Sequence, residues 1–315
     1  YGRQEEKYAW LDRRTLKTAR YRPIRPQSPF YFFIPQDTKH LQTYLSWPQI
    51  AEIFPLHSVG IVTARDRLTI HWTPEEVWRT VLNFSRLKPE IAREVYQLGK
   101  DVRDWKVSLA QEDLLREGGP HRDKIVPILY RPFDVRYTYY TGISRGFLCM
   151  PRPEVMRHML AGKNLGLVLP RRVEYPGIWR HAFITHHLVE HVVVSLKTID
   201  YCFPLYLYSS KNNPKLTSDR KPNLADWFLP KLRAAYGFRP SPEQVVAYLY
   251  AVLYSPTYRK KYAEQLRTDF PRVPWTAEGK LFRQMARLGQ RLIGLHLLDS
   301  PELDPPAAKY HGRGN

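Results

Sequence analysis

The sequence predicts an α+β fold, with a mixed β-sheet core over about 124–208 flanked by N-terminal and C-terminal helices. Three observations predict it. From Lys124 apolar side chains recur every second residue, as Val126, Ile128 and Tyr130 and then as Val135, Tyr137 and Tyr139, the period of a half-buried strand. Before and after this stretch the period becomes helical, with capping residues in place at Thr73 and Ser255. The 315 residues are 43% hydrophobic, enough to bury a sizeable core.

Residues 1–29 are charged and then proline-rich (Pro23, Pro26, Pro29), which reads as an exit segment from an upstream domain; Tyr1 in place of a start methionine fits a piece of a longer protein. The main domain is expected over 30–299. Its aromatic run at 30–34 and its valine-, isoleucine- and threonine-rich stretch at 58–72 are predicted strands. A helical part, 74–118, opens on Thr73-Pro74-Glu75-Glu76, where threonine caps, proline takes the first turn and Glu76 closes a capping box; Val77, Val81 and Phe84 form its buried face. Helices follow at 89–98 and 105–117, the latter ended by Gly118-Gly119.

The β-rich part, 124–208, begins with two strands around the turn Pro132-Phe133-Asp134. Further strands are predicted at 165–169, 181–185, 191–196 and 201–208, with one helix, 153–161, stopped by Gly162. Residues 209–222 read as a polar loop. The C-terminal helical part, 223–299, holds a helix at 242–254, a second begun by Ser255-Pro256 with Tyr258, Tyr262 and Leu266 at a spacing of four, and a break at 269–274. In its last helix Leu281, Met285, Leu288, Leu292 and Leu295 form a predicted seam onto the same domain, and 300–315 reads as a disordered tail.

Lysine and arginine total 49 against 30 acids, a formal charge of +19, and 21 tyrosines are interleaved with them. Such a surplus points to a polyanion, with aromatic rings suited to stacking. Cys149 and Cys202 show no disulfide or zinc spacing, so a reducing cytoplasm is expected. No apolar stretch reaches the roughly 20 residues of a membrane span, and the first residues are too charged for a signal peptide.

Catalytic and metal motifs do not hold up. His187-Leu188-Val189-Glu190-His191 matches the H-x-x-E-H zinc-peptidase pattern, but that geometry needs a helix and Val192-Val193-Val194 favours a strand. Asp304-Pro305-Pro306 resembles the amine-gripping loop of amino-methyltransferases, yet Ala307 cannot stack on a base and no glycine-rich cofactor loop precedes it. Glu278-Gly279-Lys280 after Asp269 imitates a metal-nuclease pattern at a helix entrance instead of a strand, and no Walker A loop exists. No catalytic residue and no metal ligand is therefore assigned.

The informative stretch is 128–140, Ile-Leu-Tyr-Arg-Pro-Phe-Asp-Val-Arg-Tyr-Thr-Tyr-Tyr. If Val135, Tyr137 and Tyr139 face the core, Arg136, Thr138 and Tyr140 share the opposite face. Arg131 and Asp134 suit either a structural ion pair or an exposed contact. This stretch resembles the signature of the C-terminal specificity domain of type ISP restriction-modification enzymes. The resemblance continues in 151–158, 203–208, 250–259 and 269–272, and covers about residues 2–298.

The resemblance implies a double-stranded DNA target-recognition domain, lying downstream of an adenine-N6 methyltransferase domain in one polypeptide that also carries a nuclease and a helicase-like ATPase. S-adenosylmethionine, ATP and magnesium are implied only for those other domains, and the rivals are a fragment with methyltransferase activity or a basic RNA- or protein-binding module. For DNA contact we single out Arg171 and Arg172 after the 165–169 strand as base-reading arginines, then Arg65 and Arg67 beside Asp66, Arg136 and Tyr140 on the hairpin, and Arg145 and Arg152 on phosphates.

Overall fold

A computed structural model describes residues 3–33, 35, 38–174, 177–209, 220–309, 311 and 312. The chain divides into two compact units, Tyr1–Lys39 and His40–Asn315, so the main unit begins at His40 and not at the expected 30. In the first unit, α1 (Gln4–Asp12) is exposed along its length and begins where the Glu6 carboxylate accepts Arg3 N–H at 2.8 Å. The expected strand at 30–34 is absent among the described residues: 28–30 form a turn, Tyr31 and Phe33 are exposed, and Ile34 lies outside the described residues. Without a partner strand, aromatic content alone does not make a ladder.

The second unit opens with α2 (Leu41–Leu45) and α3 (Ile50–Ile53), then β1 (Ser58–Val59) and α4 (Asp66–Thr69). The predicted 58–72 strand is thus mostly bridges and a helical turn. Helices α5 (Pro74–Arg86), α6 (Pro89–Val95) and α7 (Val107–Leu115) follow. Thr73 caps α5 as expected, its hydroxyl accepting Glu76 N–H at 3.2 Å, and Val77, Val81 and Phe84 are fully buried.

Strands β2 (Ile125–Arg131) and β3 (Asp134–Tyr139) form an antiparallel hairpin with a bulge between Leu129 and Arg131. After α8 (Pro153–Leu160) come β4 (Gly166–Pro170), β5 (Phe183–Thr185), β6 (Leu188–Val189), β7 (Asp200–Pro204), β8 (Tyr206–Tyr208) and β9 (Arg220–Pro222). The strand predicted at 191–196 is turns; β6 lies just before it and pairs parallel with β2. Of the predicted loop at 209–222, residues 210–219 lie outside the described residues, and 220–222 are β9.

The predicted mixed sheet is realised as three small ones, ordered β1-β7-β4-β5, β3-β2-β6 and β8-β9. The first is a wall between two cores. Leu167, Leu169, Ile184 and Phe203 project into the core made with the C-terminal helices, while Val168, Phe183 and Cys202 project into the core made with α5, α7, α8 and the hairpin. Both faces are covered, which is why β4 reads as a continuous apolar run.

The C-terminal core is built by α9 (Phe228–Tyr236), α10 (Pro242–Tyr254), α11 (Pro256–Lys261) and α12 (Gly279–His296). The α12 seam is one residue away from the predicted one: Phe282, Ala286, Gly289 and Ile293 are buried, whereas Leu281 and Leu288 are exposed. Gly289 decides this, because a Cβ there would sit 1.7 Å from Ala247 O of α10. Two adjacent stripes share the same period, and the one with small residues allows the close crossing. In the predicted tail, Pro301–Leu303 forms a 3₁₀ turn tied to α12 by Arg291 and Glu302 at 2.5 Å. Among the described residues no helix is long and apolar enough to cross a membrane.

Candidate nucleic-acid interface

Arginines gather in three places, and their partners differ. At the hairpin tip, Arg131 at the end of β2 meets Glu190 at 2.8 Å, and Glu190, only 1% exposed, also accepts Val192 N–H at 2.8 Å. His191 Nδ1 lies 2.6 Å from the same carboxylate. Burial would lower His191, and Glu190 more than offsets it, leaving the imidazole above its usual range. The H-x-x-E-H match therefore lies on β6 and a turn, with its glutamate used by Arg131. Among the described residues no three His, Cys, Asp or Glu side chains could hold a metal ion.

Arg136 donates Nε and Nη2 to Asp134 at 3.0 and 2.9 Å and is stacked between Trp72 and Tyr130, 3.9 and 4.3 Å from their ring centroids. Tyr130 in turn donates to Asp66 at 2.7 Å; burial first, and then that carboxylate, push its hydroxyl up to about 12. Tyr140 does not share an exposed face with Arg136. It follows the end of β3 and is 9% exposed with its hydroxyl on Pro151 O at 3.1 Å, and Val135, expected in the core, is exposed instead beside the bulged hairpin tip.

The second place surrounds Cys149. Arg65 spends Nε, Nη1 and Nη2 on the carbonyls of Leu98, Ala64 and Lys100 at 2.9, 2.9 and 3.1 Å and lies over Trp105. Arg67 is exposed and reaches Gln97 at 3.2 Å. Arg145 and Arg152 both adopt left-handed backbone, φ 60° and 54°. Arg145 is exposed, 3.4 Å from Asp104, and Arg152 places Nη2 3.3 Å from Met150 Sδ, with its Nε buried and without a partner. Burial first, then Asp104, raise the Cys149 thiol, against the lowering pull of Arg152, Arg65 and Arg145.

The third place begins where β4 ends. Arg171 donates to Asp269 at 2.8 Å, and Arg172 is exposed with no hydrogen bond or ion pair among the described residues. Val173 N–H donates to Arg267 O at 3.0 Å, stitching this segment to the 3₁₀ turn Gln265–Arg267 after α11. Arg267 Nη2 bonds Gly177 O. Arg259 on α11 stacks on Tyr254, 4.1 Å from its centroid, and donates Nε to Leu253 O at 2.5 Å. Residues 171–181 and 256–269 hold five arginines and two lysines against three carboxylates, so here positive charge is left over. Arg180, Arg259 and Arg267 were not among the predicted contacts; the two segments are distant in sequence and meet only through the fold.

A cavity of about 390 Å³ between β8, α10 and α12 spends its charges internally. Arg220 lies 3.9 Å over Tyr206 and donates to Lys163 O at 2.9 Å, and Tyr206 donates to Glu243 at 2.5 Å.

The model of the Type ISP C-terminal specificity domain family matches residues 52–315. Among solved structures, the chain is similar to a DrdV–DNA complex (TM-score 0.65, 24% identity, 93% of this chain and 29% of that one). It is also similar to a nuclease-deletion mutant of the Type ISP restriction-modification enzyme LlaGI in complex with a DNA substrate mimic (0.64, 20%, 94% and 27%). A third match is the ATP-dependent Type ISP enzyme LlaBIII bound to DNA (0.57, 21%, 78% and 16%). At these identities the likeness establishes the fold, and the chain spans less than a third of each of these proteins. No curated protein matches it.

Proposed function

Because the chain belongs to the Type ISP C-terminal specificity domain family, we propose that it recognises one duplex DNA sequence on behalf of a restriction-modification enzyme. The observation that carries this reading is the surplus of arginine at the end of β4, where Arg172 is exposed and has no hydrogen bond or ion pair among the described residues. Arg171 and Arg172 read bases, since a guanidinium fork fits guanine O6 and N7 in the major groove. Arg67, Arg145 and Arg152 contact phosphates, which position the duplex without reading it. Arg65, Arg136 and Tyr140 hold scaffold, because their polar groups are already spent on carbonyls or on Asp134.

The chain performs no chemistry itself. Methyl transfer and ATP-driven cleavage, with S-adenosylmethionine, ATP and magnesium, belong to other parts of the parent cytoplasmic polypeptide, and the chain presents one adenine to an upstream methyltransferase domain. Affinity selection from a random duplex pool tests the reading. One enriched asymmetric sequence is expected; binding without enrichment of any sequence contradicts it.

A further inference from the structure

Arg180, Arg259 and Arg267 come from two segments that the fold joins: Arg259 lies over Trp179, 5.6 Å from its ring centroid, and Arg267 Nη2 bonds Gly177 O. Arg180 adds to the burial that holds Arg259 below its usual range, and Arg259 and Arg267 add to the burial that holds His181 below its own. His181 Nδ1 accepts Arg180 N–H at 3.1 Å, so the neutral ring carries its proton on Nε2 and keeps a donor to spare. Tyr254 of α10, whose hydroxyl donates to Ala182 O at 2.6 Å, closes one side under the Arg259 guanidinium. Two guanidinium nitrogens, Arg259 Nη2 and Arg267 Nε, are buried and have no acceptor among the described residues. Buried N–H donors without an acceptor are costly, and an anion able to accept several hydrogen bonds at once relieves that cost.

We propose that Arg180, Arg259, Arg267 and His181 form a subsite for one phosphate of the DNA backbone, beside Arg171 and Arg172. The subsite rests on the DNA-reading function above and adds its anchor. A phosphate held here by side chains from both segments fixes the register of the duplex, and Val173 N–H on Arg267 O couples that anchor to the base-reading arginines. The preference is for an anion because the two segments carry more arginine and lysine than carboxylate, and one of those carboxylates, Asp269, is engaged by Arg171.

The test is binding of the 315-residue chain to a random-sequence duplex over about 50 to 300 mM salt. Arg180→Ala, an exposed change that leaves the core untouched, and Arg267→Ala are each expected to lower the slope of log affinity on log salt by about one. His181→Gln, which keeps an N–H donor, is expected to bind more tightly than His181→Ala. A wild-type chain with a steep slope and either arginine variant with the same slope overturns the subsite alone. A wild-type chain with no salt-dependent binding overturns the subsite together with the DNA-reading function.

Discussion

Arg131 and Arg136 at the hairpin tip each meet a carboxylate, at 2.8 and 2.9 Å, while Arg172 after β4 meets none among the described residues. The same residue type serves opposite ends in the two regions. An arginine locked onto a half-buried acid is already desolvated and neutralised, so it has little left for a phosphate, and its value is in holding strands together. An exposed arginine in a cluster with surplus charge contributes little to stability and much to association. On the function proposed above, the family-signature hairpin serves as scaffold and the segments 171–181 and 256–269 form the reading surface. Dense arginine and tyrosine in a sequence does not by itself mark a surface with charge to spare; the balance of arginine and lysine against nearby carboxylates does.

The largest expected effect is on the scaffold. Arg131→Met leaves the Glu190 carboxylate, 1% exposed, without its arginine partner, and should cost about 3 kcal/mol of stability, read from urea denaturation, with the salt slope of DNA binding unchanged. A loss of slope without a loss of stability would dissolve the contrast. The same region carries a pH signature. Burial, reinforced by Glu190, pushes the Asp200 carboxyl up to about 7 against backbone N–H donors that lower it. The folded state then keeps a proton that the unfolded chain releases near pH 4 or about 3.9, so this contribution to stability is full below about pH 4 and is lost as pH rises through about 7. Asp200→Asn should flatten that window in thermal melts.

On the reading surface the effects reverse. Arg172→Ala should change stability by less than about 0.5 kcal/mol and cost about 1 to 3 kcal/mol of binding, concentrated at one base pair of the recognised site. Uniform weakening across single-base-pair variants would make it a phosphate contact. The smallest effect is expected for Asp269→Asn, which frees Arg171 from its 2.8 Å partner; DNA binding should tighten by about 0.2 to 1 kcal/mol, and weaker binding would mean that Asp269 orients Arg171 for its base.

Local signals were legible where they were self-contained. The α5 cap at Thr73 and the α11 cap at Ser255 are each written in consecutive residues, and the structure has both. Where the outcome depended on distant partners, the pattern misled: the leucines of α12 share their period with the true seam, and only the approach of Ala247 to Gly289 selects between them. Valines 192–194 have strand propensity, but the β6 pairing with β2 is used up before them. The interface divides the same way. Arg171 and Arg172 stood out because they follow a clear strand, whereas Arg180, Arg259 and Arg267 lie on remote segments that meet through Val173 N–H on Arg267 O and the Arg267 side chain on Gly177 O.

Amide hydrogen exchange of the chain, with and without duplex DNA, measures the contrast directly. The account predicts new protection across 171–181 and 256–269 with 125–139 unchanged. Protection of the 125–139 hairpin with 171–181 unchanged would contradict it.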